Sequence, residues 1–126
     1  MNIIISNASD DPIYQQIYDQ ICAQILKGEL AADTVLPPIR TVARELRISV
    51  ITVKRAWEEL EHAGFIYTMA GKGCFVASLQ QNQLADKQMS LASEKMAKDV
   101  AYYRSLGLSE SEVIQLVKLA YKNSDQ

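Results

Sequence analysis

Residues Leu36 to Val76, LPPIRTVARELRISVITVKRAWEELEHAGFIYTMAGKGCFV, carry the clearest structural signals in the sequence. A helix is predicted from about Pro38, because apolar residues recur there at the i, i+3, i+4, i+7 spacing of a buried helical face, namely Ile39, Val42, Ala43 and Leu46. A turn around Arg47-Ile48 leads to Ser49, a good N-cap for the next helix. That helix is expected to end at Gly64. Its side chains that face the core are expected to be Val53, Ala56, Trp57 and Leu60.

Two short β-rich runs follow the helices, at Phe65–Thr68 and Cys74–Ala77. The connection Met69–Gly73 contains Gly71 and Gly73, which adopt positive φ without the steric penalty that other residues meet. The two runs therefore predict a hairpin with a glycine-rich tip. Helix, turn, helix and hairpin in this order predict a winged helix-turn-helix within a fold that is mainly α with a small β-hairpin.

Charge is distributed unevenly along the chain. The net charge is −2 and the pI is about 5.4, yet residues 40–55 hold only one acid, Glu45, against Arg40, Arg44, Arg47, Lys54 and Arg55. Double-stranded DNA is a polyanion, so a protein that binds it needs positive charge in a shape that fits a groove. For any single cation, solvation of an amphipathic surface is the better explanation. The cluster within the helix-turn-helix pattern predicts double-stranded DNA as the partner.

The candidate DNA-binding residues fall in three places. The start of the second helix of the pair supplies short donors and cations, where the helix dipole also favours phosphate. The preceding helix supplies arginines for the flanking backbone, and the hairpin tip reaches the adjacent minor groove or its phosphates. The set is Arg40, Arg44, Ser49, Val50, Thr52, Lys54, Arg55, Gly71 and Lys72. The alternative for this surface is a winged helix that uses its basic face to contact an acidic protein.

The first 35 residues predict one further helix. Residues 2–8 are expected to pair as a short strand or to remain a loose arm. Asp11 suits the N-cap position, Pro12 suits N1, and Gly28 is a stop signal. Residues 29–36 are expected to form a polar loop. The helical face turned to the core is expected to contain Tyr14, Ile17, Tyr18, Ile21 and Ile25.

A composition shift at Leu79 predicts two regions, a winged helix-turn-helix domain at 1–78 and a two-helix region at 79–126. The polar run 79–83, LQQNQ, is expected to be a connector. A long helix is expected to end at Gly107. Ser109 and Glu112 form a capping box for a last helix, because each side chain can satisfy the backbone N–H of the other residue.

Each of the two predicted tail helices has an apolar face that must be buried against another surface. The 48 residues of the tail are too few to enclose a pocket of about 300 Å³ and also to cover those faces, but they can bury them against a second copy. This predicts a homodimer. One alternative is that the tail folds back on its own winged helix, and another is that a small effector binds between the tail helices. The predicted dimerisation residues are Met89, Met96, Tyr103, Val113, Leu116, Val117 and Ala120.

Other kinds of function find little support. Cys22 and Cys74 lie far apart and are expected to be buried thiols of a reducing cytosol, and His62 is expected at the surface, so no metal site is predicted. Trp57 and Tyr67 are expected in the core. No catalytic grouping or phosphate-loop spacing is visible, so we expect neither an enzyme nor a cofactor. The absence of a long apolar run predicts a soluble, cytoplasmic protein.

The sequence resembles the GntR family of bacterial transcription regulators over about residues 10–77. The matching residues are Leu36-Pro37, Arg40, Val42-Ala43, Leu46, Ser49, Thr52-Val53, Ala56, Leu60, Gly64-Phe65-Ile66, Gly71, Gly73 and Phe75-Val76. The resemblance implies a winged helix that binds inverted repeats as a dimer. The family's DNA-contacting positions match Arg40, Ser49, Thr52, Lys54 and Gly71 here. The short tail resembles that of the YtrA-type branch, whose two tail helices form a dimerisation unit and which is often linked to transporter operons. We therefore expect a homodimeric repressor.

The chain departs from the family pattern in two places. Pro38 stands where the family often has a small hydroxyl residue, which removes a cap or phosphate contact. Val50 and Ile51 stand where polar residues are common. These two side chains are expected either to touch thymine methyl groups or to pack against a neighbouring loop.

Overall fold

The computed structural model describes residues 1–124, which contain five helices and one β-hairpin. They are α1 (Ile13–Leu26), α2 (Ile39–Leu46), α3 (Val50–His62), β1 (Ile66–Met69), β2 (Gly73–Val76), α4 (Gln81–Ser105) and α5 (Glu110–Ser124). These elements form two compact units, of which the first is Met1–Gln80 and the second starts at Gln81. The predicted fold class, mainly α with a small hairpin, is confirmed.

The core of the first unit lies around α3, which packs against α1, α2 and β1. The largest fully buried side chains are Phe65, Ile17, Ile21, Leu60, Val53, Val76 and Cys22. Burying an apolar side chain of this size contributes about 1.5–3 kcal/mol. Trp57 is buried, as predicted. Ile39 and Leu46, predicted to be buried, are half-buried, because they are the first and last residues of the short helix α2, which packs mainly against α3.

Three glutamines on α1 hold the N-terminal arm, residues 1–6. Each carboxamide accepts from the N–H and donates to the C=O of one arm residue, over distances of 2.6–3.4 Å, in the pairs Gln16–Ser6, Gln20–Ile4 and Gln24–Asn2. The pitches match, because four helical residues rise about 6 Å and two extended residues span about 6.6 Å. The prediction of a paired strand or a loose arm was therefore wrong.

The start of α1 lies one residue later than predicted. Pro12, not Asp11, occupies the N-cap position, and no side chain caps the helix. The reason is that the Asp11 carbonyl accepts a hydrogen bond from Gln16 Nε2 (3.0 Å), while the Pro12 carbonyl accepts from the N–H groups of Gln15 and Gln16 (3.0 and 3.1 Å). The helix ends at Leu26, near the predicted stop.

The turn between α2 and α3 depends on Arg47, which has left-handed backbone angles of φ 58° and ψ 46°. Residues other than glycine rarely adopt this region. The turn is closed by a hydrogen bond from Ile48 N–H to the Ala43 carbonyl (3.0 Å). It delivers Ser49 to the N-cap of α3, where its Oγ accepts from the Thr52 N–H at 3.2 Å, as the sequence predicted.

The hairpin is antiparallel, and its register pairs Ile66 with Val76 and Met69 with Gly73. Each strand is displaced by one residue from its predicted range. The loop before α2 also pairs with β2, since Leu36 N–H donates to the Cys74 carbonyl (2.8 Å). A bridge between residues 35 and 75 accompanies it. Residues 29–36 were predicted as a polar loop. Its pairing with β2 was missed, because the apolar run at residues 35–36 is too short to show strand alternation.

The second unit consists of α4 and α5, and neither helix has a buried residue within the described part of the chain. Gln81–Gln83, predicted as part of a connector, belong to α4. The predicted capping box is confirmed: Ser109 N–H donates to Glu112 Oε1 (3.0 Å) and Glu112 N–H donates to Ser109 Oγ (3.2 Å). These hydrogen bonds lower the pKa of Glu112. Within residues 1–124, no helix combines the length and the apolar content that a membrane span needs.

Candidate nucleic-acid interface

The N-terminus of α3 presents two linked hydroxyl groups. Ser49 Oγ lies 2.7 Å from Thr52 Oγ1, within hydrogen-bonding distance, in addition to capping the Thr52 N–H. The cap fixes where the helix begins, and the first N–H groups of a helix have no intrahelical partners. Val50 and Ile51, the first two helical residues, are 39% and 79% exposed. Ile51 thus does not pack against a neighbouring loop, and both side chains are free to meet a ligand.

The other predicted DNA-binding residues are also accessible. Thr52 is half-buried, and the exposed members of the set are Arg40, Arg44, Ser49, Val50, Lys54, Arg55, Gly71 and Lys72. Two of the arginines lie on α2, the residues from Ser49 to Arg55 lie on or next to α3, and the last two lie at the hairpin tip. The structure therefore leaves each predicted contact on the surface of the same compact unit.

The two adjacent cations of α3 have different surroundings. Lys54 Nζ lies 3.9 Å from Glu58 Oε1, and both side chains are about two-thirds exposed (65% and 66%). Exposed pairs of this kind are worth roughly 0–1 kcal/mol, so Lys54 remains available. Arg55 instead lies over Tyr14 of α1, with its Cζ 3.7 Å from the ring centroid, and Nη2 donates to Tyr14 Oη at 3.1 Å.

The hairpin tip is a tight turn closed by a hydrogen bond from Lys72 N–H to the Met69 carbonyl (2.9 Å). Gly71 occupies the third position of this turn with φ +75°, which favours glycine. A side chain at Gly71 would meet no atom within 4 Å, so the requirement is one of backbone conformation and not of space. The turn leaves Lys72 exposed.

Two side-chain hydrogen bonds tie the hairpin to the rest of the unit. Thr68 Oγ1 donates to Glu61 Oε2 on α3, and Tyr67 Oη donates to Asp33 Oδ1 in the loop before α2, each at 2.7 Å. The bond to Asp33 and its nearby charge raise the pKa of Tyr67. Tyr67 is half-buried and stacks on Phe75 with ring centroids 5.5 Å apart, so the prediction that it belongs to the core was only partly right.

The tail contains an open groove of about 530 Å³ between α4 and α5. Its lining is mainly apolar and consists of Met96, Val100, Arg104, Leu108, Ser109, Glu110, Val113, Ile114 and Val117. The predicted dimerisation residues Met96, Val113 and Val117 share this groove. Met89, Leu116 and Ala120 are exposed elsewhere on the two helices, and Tyr103 is half-buried.

Sequence reasoning missed Tyr14 as a neighbour of the interface, because its helical spacing assigned it to the core stripe. A signal was present, since Tyr14 is the second residue of α1 and the end of an amphipathic stripe is often partly exposed. Within residues 1–124, no group of histidine, cysteine, aspartate or glutamate could hold a metal ion. The thiol of Cys22 is buried, as predicted, and that of Cys74 is half-buried.

An exposed basic helix start, an αL turn before it and a hairpin after it define the class of DNA-binding winged helix-turn-helix proteins. Residues 13–76 match the family described as "Bacterial regulatory proteins, gntR family". The chain belongs to the GntR family of transcription regulators, and its relatives place it in the YtrA type.

Two relatives from Bacillus subtilis (strain 168) resemble nearly the whole chain. The uncharacterized regulator YhcF is 32% identical over 87% of this chain and 90% of its own length. The repressor YtrA is 30% identical over 86% of this chain and 85% of its own length. A crystal structure named as a transcriptional antiterminator from Listeria monocytogenes EGD-e has a TM-score of 0.74 at 28% identity, and the match covers 96% of this chain and 90% of that one. As a GntR regulator the chain is not an enzyme.

Proposed function

We propose that the chain is a cytoplasmic homodimer that represses transcription by covering an inverted-repeat operator. The observation that carries this proposal is the combination of an exposed basic start on α3 with a tail whose two helices bury no described residue. The first feature provides the surface for DNA, and the second requires a partner for its apolar side chains. The name of the similar repressor YtrA favours repression over activation.

The DNA contacts divide by chemistry. Ser49, Thr52 and Lys54 stand where a recognition helix meets base edges, while Arg40 and Arg44 on α2 stand where the phosphate backbone flanks the major groove. Val50 is suited to a thymine methyl group, because it is apolar and partly exposed at the first position of α3. These assignments are proposals, supported by the exposure of each side chain.

The tail helices would provide the dimer contact. The large exposed apolar side chains of the tail are Met89, Met96, Tyr102, Leu106, Ile114, Leu116, Val117, Leu119 and Tyr121. Exposed apolar surface on this scale marks an interaction site, and a second copy can bury the same residues on both sides of a two-fold axis. Two recognition helices held by such a dimer would enter successive major grooves about 34 Å apart.

Sedimentation equilibrium tests the dimer without DNA. Wild-type protein is expected to sediment as a dimer, and Val117→Asp, which places a charge in the apolar seam, is expected to shift the equilibrium towards monomer. Lys118→Asp changes the next, exposed residue and is expected to leave the dimer intact. A wild-type monomer at all concentrations, or equal dissociation by both substitutions, would refute the tail as the dimer contact.

A second candidate is a sensor that binds a small effector in the tail groove. The groove volume of about 530 Å³ favours this function, because ligand pockets typically measure about 300–1,000 Å³. Its mainly apolar lining suits an alkyl chain, and Arg104 can pair with a carboxylate group, although the acidic Glu110 lines the groove as well. From the sequence we expected that the two tail helices cannot enclose a pocket. The groove is open rather than enclosed, and Met96 and Ile114 in its lining are exposed.

Decanoate is a suitable probe for this candidate. It should raise the melting temperature of the wild type and should not do so in Val113→Trp, whose indole would fill the groove. Leu119→Trp, outside the lining, is the control and should respond like the wild type. No shift with the wild type, or equal shifts in all three proteins, would remove this function for apolar anions.

A further inference from the structure

We propose that Tyr14 and Arg55 together form a binding site for one DNA phosphate, in which the Tyr14 ring positions the Arg55 guanidinium and the Tyr14 hydroxyl supplies a second donor. This site rests on the DNA-binding function proposed above and extends it to α1. That helix otherwise packs in the core and holds the N-terminal arm.

The geometry of the pair is that of a stacked cation. Arg55 Cζ lies 3.7 Å from the Tyr14 ring centroid, well inside the approximately 6 Å within which a guanidinium is attracted to an aromatic face. One guanidinium nitrogen, Nη2, also donates to Tyr14 Oη at 3.1 Å. Two contacts to one ring restrict both the position and the tilt of the guanidinium plane. The side chain is thus ordered before any ligand arrives.

The charge of Arg55 is not neutralised by any acidic residue of the described chain, residues 1–124. No carboxylate of residues 1–124 forms an ion pair with it, whereas the neighbouring Lys54 pairs with Glu58. A guanidinium has five N–H donors in a planar fork, and the bond to Tyr14 uses one of them. The remaining donors belong to an exposed side chain, and their planar arrangement suits the oxygens of a phosphate.

The Tyr14 hydroxyl adds a neutral donor beside this cation. A phenol has one proton and two acceptor lone pairs, and Tyr14 Oη accepts from Arg55. Its own proton is therefore directed away from Arg55 and is free to donate. Because the ring and the guanidinium are in contact, both donors can reach oxygens of the same phosphodiester. Arg55 follows Lys54 by one residue and points about 100° further round α3, where its contact with Tyr14 turns it towards α1. On this side of the recognition helix the strand backbone flanks the groove.

The experiment measures affinity for a short fluorescein-labelled duplex of mixed sequence by anisotropy over a range of salt concentrations. Each phosphate neutralised by a cation contributes about 0.9 to the slope of log K against log [salt]. Arg55→Gln should make the slope shallower by about 0.9. Arg55→Lys should keep the slope and lose affinity, because an ammonium keeps the charge but does not reproduce the fork.

Substitutions of Tyr14 separate its two roles. Tyr14→Phe should bind roughly 2- to 10-fold more weakly with an unchanged slope, because it loses one neutral hydrogen bond. Tyr14→Leu should bind more weakly than Tyr14→Phe, because it loses the ring that positions Arg55 as well as the hydroxyl. The loss of affinity in the double variant Tyr14→Leu/Arg55→Gln should be smaller than the sum of the two single losses. Lys27→Gln removes an exposed cation at the far end of α1 and should match the wild type.

The outcomes distinguish this site from the function on which it rests. Trp57 fluorescence during thermal unfolding identifies any variant that has not folded. If Tyr14→Leu does not fold, the affinity of Tyr14→Phe, which keeps the ring, tests the role of Tyr14. Tyr14→Phe at wild-type affinity removes the hydroxyl from the site, and a wild-type slope for Arg55→Gln overturns the site as a whole. If the wild type binds no duplex at low salt, the DNA-binding function itself fails.

Discussion

Tyr67 on β1 donates a hydrogen bond of 2.7 Å to Asp33 in the loop between α1 and α2. Asp33 has φ 65°, a left-handed conformation, and its N–H donates to the Val76 carbonyl on β2 at 2.8 Å. One loop residue therefore joins both strands, through its side chain to β1 and through its backbone to β2. This link sets how the hairpin is attached to the helical part of the first unit.

Alkaline pH should weaken this link. The hydrogen bond to Asp33 raises the Tyr67 pKa above its ordinary value of 10.0, so the folded state favours the protonated phenol. The stabilisation is fully present below the unfolded pKa and is lost as pH rises through the folded pKa. The free energy of unfolding of the wild type should exceed that of Tyr67→Phe at neutral pH, and the difference should vanish at high pH. A difference that does not depend on pH would contradict the assignment.

The arm should depend on Gln16 more than on the other two glutamines that hold it. Gln16 is only 9% exposed, and its carboxamide bonds both the backbone N–H and the C=O of Ser6 as well as the Asp11 carbonyl. Gln16→Ala should cost about 1–3 kcal/mol in urea unfolding and should speed amide exchange at Ser6. Gln15→Ala is the control, since Gln15 bonds only the neighbouring surface residue Asp19 through its side chain. An equal loss of stability in the two variants would contradict the special role of Gln16 in holding the arm.

Arg47 should be replaceable by glycine with a gain in stability. Its left-handed backbone, φ 58° and ψ 46°, carries a steric penalty that glycine lacks. Arg47→Gly should raise the free energy of unfolding by up to about 1 kcal/mol, after allowance for the greater freedom of glycine in the unfolded chain. Arg44→Gly, in the right-handed last turn of α2, should instead lose about 1 kcal/mol. A loss of stability with Arg47→Gly would show that its side chain makes a compensating contact.

Lys54 should read a base rather than a phosphate. It lies in the second turn of α3, two-thirds exposed, with only a weak surface contact to Glu58. Lys54→Ala should cost about 1–3 kcal/mol of binding energy on the operator, and the loss should disappear when one particular base pair is changed. The measurement is anisotropy on a set of single-base operator variants. An equal loss on every variant would place Lys54 on the sugar-phosphate backbone.

Local signals in the sequence predicted the parts of the fold that local chemistry determines. Apolar spacing located α2 and α3, Ser49 marked the start of α3, and the Ser109–Glu112 pair was read from its spacing. The strands were found to within one residue. These predictions were correct because each feature is determined by residues within a few positions of one another.

Contacts between distant residues could not be predicted in the same way. Tyr14 and Arg55 are 41 positions apart. The glutamines that hold the N-terminal arm resemble an ordinary solvated helix face in the sequence, and the arm has no strand partner. The partial burial of Leu46 likewise depends on which neighbours surround α2. Helical spacing specifies the face on which such residues lie but not the segment that meets it.

The most direct test of a dimeric operator-binding regulator is selection of genomic DNA fragments by the purified protein, followed by sequencing and by the stoichiometry of binding to the enriched site. The account predicts an inverted repeat with half-site centres about one helical turn apart, bound by two chains per duplex. Enrichment of no sequence, or of a single half-site bound by one chain, would contradict it.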